Sequence, residues 1–144
     1  AYEHLDGFEK ALDVYAGSTA YAEVMSSGKV QVVLRNILKT HPVQFDQNRE
    51  VTSKYAVLTR ASSADPMISE MSQLAEVFAE NGALTLRYGT LITGSNAGNR
   101  LVGATYPSME AIEKTYDALA TDSRYETLLS NASINMRVII RLIG

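Results

Sequence analysis

LTLRYGTLITGSNAGNRLVGATYPSMEAIEKTYDALA, Leu84 to Ala120, is the stretch that decides the fold. Residues 84–93 and 100–106 are rich in β-formers, and the glycine-containing run 94–99 between them reads as a hairpin loop. Ser108 is a helix cap, and residues 109–120 follow it with helical apolar spacing. Upstream, residues 55–60 read as a strand. Asp65-Pro66 then opens a helix, with aspartate as cap and proline at the first helical position. Met67, Met71, Leu74, Val77 and Phe78 form that helix's apolar stripe, and Asn81-Gly82 ends it. Downstream come a short helix around residues 124–129 and a last strand, 134–143. The order is β-α-β-β-α-β, an α+β arrangement with both helices on one face of an antiparallel sheet. The other face is left bare and needs cover, which a second such sheet would supply.

The N-terminal stretch repeats part of this unit. Residues 5–27 lie on residues 109–131 without a gap. Glu9, Lys10, Asp13, Ala16, Tyr21 and Ser26 meet Glu113, Lys114, Asp117, Ala120, Tyr125 and Ser130, and Tyr2 meets Tyr106. After a two-residue adjustment, 30–35 lies on 136–141, which makes Arg35 the equivalent of Arg141. The expected organisation is residues 1–40 as the helix–strand second half of a first repeat, 41–53 as a polar linker, and 54–144 as a complete repeat. The first strand, 29–38, would have two open edges, an aggregation hazard. It is therefore expected to pair with a preceding N-terminal segment or with another chain.

The chain of 144 residues has 46% apolar residues, a net charge of −3 and no cysteine. That charge balance argues against a nucleic-acid partner. No apolar run approaches the roughly 20 residues of a membrane span. Disulfides and thiolate chemistry are excluded. His4 and His41 lack metal-ligand spacing, so neither metal nor cofactor is expected, and His4 before a helix reads as a cap. A cytoplasmic homo-oligomer is the default expectation.

Alternation on the last strand puts Ile134, Met136, Val138, Ile140 and Leu142 on one face, expected to pack under the helices. Arg137 and Arg141 then point to the opposite face with Asn135, Ile139 and Ile143. Arg35, Arg87, Arg137 and Arg141 are the candidate ligand-binding residues, since guanidinium groups hold carboxylates in a cavity between two sheets. The competing reading pairs them with acids or solvent. Tyr88 and His41 are the candidate catalytic groups, as a proton donor and a base at the mouth of that cavity. Core packing for Tyr88 and a surface position for His41 are the alternatives. Residues 94–99 precede no helix and carry no Lys-Ser/Thr pair, so they do not form a phosphate loop.

Two segments, 99–111 (NRLVGATYPSMEA) and 120–125 (ATDSRY), carry a resemblance. A strand, a Ser-Met-Glu-Ala helix start and an Asp-x-x-Tyr short helix resemble the NIPSNAP-like branch of the ferredoxin-like dimeric α/β-barrel superfamily. The resemblance implies a ferredoxin-like repeat that pairs into a barrel and acts as a homodimer. The superfamily includes monooxygenases, isomerases, cyclases and proteins without known activity. The Asn, Trp and His set of its antibiotic-biosynthesis branch is not matched, because the chain has no tryptophan. The expected function is binding of a small, partly apolar or anionic molecule between two sheets. The alternatives are a cofactor-independent monooxygenase or isomerase and a structural dimerisation module.

Overall fold

Apolar residues spaced for helices, with polar caps before them, set the first elements of the computed structural model, which describes residues 5–32 and 35–143. Tyr2, His4, Val33 and Leu34, and the readings placed on them, lie outside the described residues. The chain divides into two compact units, with the boundary between Arg35 and Asn36. The first unit holds α1 (Leu5–Ala16) and α2 (Thr19–Ser26). Ser18 caps α2, its hydroxyl accepting from Tyr21 N at 3.2 Å, and the Tyr15 and Tyr21 ring centroids lie 5.4 Å apart. Residues 29–32 and 35–37 are not in a strand, contrary to the expectation of one over 29–38.

The second unit holds β1 (Leu38–Thr40), β2 (Tyr55–Ser63), α3 (Ile68–Glu80), β3 (Thr85–Leu91), β4 (Arg100–Tyr106), α4 (Met109–Ala120), α5 (Ser123–Asn131) and β5 (Ala132–Arg141). Its five strands form an antiparallel sheet in the order β1-β3-β4-β2-β5. Leaving β1 aside, the order β3-β4-β2-β5 is that of the split βαβ arrangement. Val57, Leu86, Ala104 and Tyr106 from the sheet pack against Leu74, Phe78, Ile112 and Leu119 from α3 and α4. Gly82, at φ +96°, turns the chain off α3, where a Cβ would meet Ala111 Cβ at 3.1 Å.

Residues 41–53 are polar but do not form a free linker. His41 N donates to Tyr88 O at 2.8 Å and Asn48 N to Leu84 O at 2.7 Å. Between them the Gln47 amide donates to Leu86 O at 3.1 Å and accepts from Leu86 N at 3.2 Å, standing in for a strand residue. The edge of β3 is thus satisfied, which blunts it against foreign pairing. Val43 and Phe45 pack on the core. Sequence composition missed this because one amide side chain does the work of a β-forming run.

The start of α3 also differs from expectation. Asp65 Oδ1 accepts from Met67 N at 2.8 Å, and Met67 sits in the left-handed region at φ 49° and ψ 42°. A non-glycine residue there costs roughly 1–2 kcal/mol. Burial of Met67 at 6% exposure helps hold it in place.

The faces of β5 are the inverse of the expectation. Arg137 is level with Thr59 and Ile139 with Val57, both helix-side residues of β2. Met136, Val138 and Ile140 are level with Arg60, Leu58 and Ala56 on the bare face. From Met136 to Arg141 alternation held, but the aliphatic residues Met136, Val138 and Ile140 went to the uncovered side. Hydrophobicity alone could not choose between two buried or coverable faces. A register shift beside Arg60 and Ala61 returns Ile134 to the helix side.

Candidate functional site

Between α3, α4, α5 and the sheet lies a cavity of about 60 Å³. At roughly 10–15 Å³ for each water-sized probe, it admits several waters or a few carbon atoms. Met71, Leu74, Phe78, Leu119 and Leu128 make its walls apolar. The charged residues among its lining are Arg100 and Arg137, and no carboxylate is part of that lining. The enclosed space therefore lies under the helices.

Arg137 is held from three elements. Its Nε donates to Thr59 Oγ1 at 3.0 Å and its Nη2 to Tyr125 OH at 3.0 Å. Its Cζ stands 4.3 Å from the centroid of the Tyr116 ring, a cation–π distance. Burial pushes the Tyr116 phenol up, while Arg137 and a Thr59 hydrogen bond pull the other way. None of these partners is a carboxylate. Asp122 fixes the neighbouring wall. It caps α5 and takes Arg124 in a two-point ion pair of 2.6–3.2 Å, which holds its carboxyl down at about 2. Arg124 also donates to Gln73 O of α3 at 3.1 Å.

Arg100 lies at another part of the cavity wall. It donates to Ser63 Oγ, Ser63 O and Asp65 O at 3.2–3.3 Å, and from Nη1 to Thr90 Oγ1 at 2.9 Å. Guanidinium only donates, so the Thr90 oxygen accepts. Thr90 Oγ1 also pairs with His41 Nε2 at 2.7 Å, as donor or through its second lone pair as acceptor. Burial, then Arg100, then Lys39 lower the His41 pKa, which favours the neutral ring. Its ring lies 5.5 Å from that of Tyr88.

The two sequence-level catalytic candidates, Tyr88 and His41, are thus neighbours. The Tyr88 hydroxyl donates to Pro66 O, and burial pushes the phenol up to about 12. It remains protonated at neutral pH and anchors the Met67 turn. The three arginines of the second unit do not converge: Arg137 lines the cavity, Arg141 lies level with Tyr55 and away from it, and Arg87 is exposed on the bare face. Arg35 belongs to the first unit. Arg100, Tyr116, Tyr125 and Thr59 were missed in the sequence. The signal available was the helical spacing that puts Tyr116 and Leu119 on one face of α4. Among the described residues there is no cluster of three potential metal ligands. No helix there is long and apolar enough to cross a membrane.

The fold is shared with a solved structure. A dimeric ferredoxin-like protein from an uncultured marine organism superposes with a TM-score of 0.52 at 12% identity, over 65% of this chain and 98% of that one. A candidate monooxygenase from Lactobacillus acidophilus NCFM gives a TM-score of 0.45 at 15% identity, over 90% of this chain and 62% of that one. No curated protein matches the chain. Residues 53–142 match the model of one protein family. With its ferredoxin-like sheet and helices inside that span, the chain belongs to the family described as Domain of unknown function (DUF6854).

Proposed function

We propose that the cavity under α3, α4 and α5 binds a small apolar molecule bearing a carboxylate, with Arg137 as the anion's partner. The observation that carries this reading is a lining with two guanidinium groups and no acid, around otherwise apolar walls. Arg100 is half-buried and Arg137 exposed at the cavity's rim, and a guanidinium with no acid in the lining favours a ligand that supplies the anion. The cavity's size limits what enters to a short acid, or to the head of a longer one. A catalytic version, a cofactor-independent monooxygenase or isomerase, would use the same space. Tyr116, beside Arg137, is the phenol placed to move a proton there.

Two further points belong to the same reading. The bare face carries Leu58, Leu101, Val138 and Ile140, and a second such sheet would cover it in a dimeric barrel of the NIPSNAP-like kind. Residues 1–40 would then be the remaining half of a first repeat, as the match of 5–27 to 109–131 supports. Support for pairing comes from the aliphatic character of that face and from the dimer described for the marine ferredoxin-like protein.

The test uses butyrate and its neutral isostere butyramide, followed by NMR shifts of isotope-labelled tyrosines. Butyrate should bind at least tenfold more tightly, a difference of about 1.4 kcal/mol. Arg137→Met should erase the difference while leaving the circular dichroism unchanged. Equal binding of the two compounds to the wild-type protein would overturn the reading.

A further inference from the structure

Strand register lays the cavity across the sheet. Arg137, Thr59, Val102 and Tyr88 stand level with one another on β5, β2, β4 and β3, and all four line the cavity. Three strand spacings, roughly 14 Å, separate the backbones at the two ends of that row. The ends differ. Arg137, on the edge strand β5, is exposed. Tyr88 is 4% exposed, and its hydroxyl donates to Pro66 O, which brings the buried Met67 to the same end of the cavity. The cavity thus has an open cationic end and a closed apolar one.

Among the described residues, Met67 is the sole non-glycine at positive φ. Glycine would make the same turn without strain. Methionine is kept there by hydrogen bonds from three residues. Asp65 Oδ1 accepts from its N–H, Tyr88 donates to Pro66 O, and Arg100 donates to Asp65 O and Ser63 O. Backbone strain of this kind persists where the surroundings over-determine it, and it gathers at ligand sites. We infer that Met67 sets the length of the acid that the cavity accepts, its side chain stopping the tail at the end opposite Arg137. The ligand class narrows to short straight-chain carboxylates. The inference rests on the Arg137 site proposed above and adds the limit at its far end.

The whole chain, isotope-labelled on its methionine methyls, is titrated with straight-chain acids from propionate to octanoate. Affinity should rise to a short acid and then fall about tenfold with the first methylene beyond the limit. The Met67 methyl signal should move further with each added carbon up to that limit, while that of Met109, half exposed on α4, stays still. Met67→Gly, which keeps the turn, should lengthen the limit by about two carbons and leave butyrate affinity within about threefold. Octanoate bound as tightly as butyrate by the wild type, a motionless Met67 signal with the longest acid accepted, or an unchanged limit in Met67→Gly overturns the length stop and leaves the Arg137 site standing. Acids that bind no better than their amides remove both. The wild-type profile and the Met67 signal decide between these results even where the variant fails to fold.

Discussion

The two faces of the sheet use the same ingredients to different ends. On the helix side, Arg100 and Arg137 stand among aliphatic and aromatic residues and donate to hydroxyls and backbone oxygens. On the bare side, Arg60 and Arg87 stand among Leu58, Leu101, Val138 and Ile140, and no strand residue facing that way is acidic. Arg60 Nε is buried there without a hydrogen-bond partner. The helix side has closed around a space of a few carbon atoms. The bare side is broad and shallow, suited to another protein surface. Enclosure, and not residue type, separates the proposed small-molecule site from the proposed assembly face.

The contrast can be broken most forcefully at Leu74, which is 1% exposed on the helix side. Leu74→Ala should cost about 2–5 kcal/mol in urea unfolding. A loss under 1 kcal/mol would mean that the helices do not seal that face. Val138→Asp, on the bare side, should leave the fold of the single chain within about 1 kcal/mol of wild type, as surface changes do. If the bare face pairs with a second copy as proposed, light scattering should show a dimer for the wild type and a monomer for this variant. If Val138→Asp unfolds the chain as Leu74→Ala does, the two faces are alike after all.

The smallest effect concerns His41. Its folded pKa lies below the usual 6.5, so the unfolded chain takes up the proton first as pH falls. The stability contributed by neutral His41 is full above 6.5 and is lost as pH drops through 6.5 toward the lower folded value. A melting-temperature series across that window should fall for the wild type and stay flatter for His41→Gln. Parallel curves would show that the Thr90 hydrogen bond does not depend on His41 being neutral.

Much of the second unit was legible. The helix over 109–120 and the strand over 100–106 match the expected limits, because a Ser108 cap and a run of β-formers are local signals. The β1 edge was not legible, since its pairing partner lies far along the chain and its continuation rests on one Gln47 amide. Nor was the left-handed Met67, which Asp65 and the packing around it impose on a residue with no preference for that conformation.

The candidate site was half legible. Arg137 was named as a ligand-binding residue, but for the wrong face. Tyr88 and His41 were named separately, and the sheet made them neighbours. By itself the sequence determined the order of the helices and of the strands from Tyr55 onward, and the alternation along most of β5, because period, caps and β-formers act over a few residues. Tertiary structure alone decided which way the alternation faced and which cations met the cavity. Those depend on strand register and on the cover over each face, which no short-range pattern encodes.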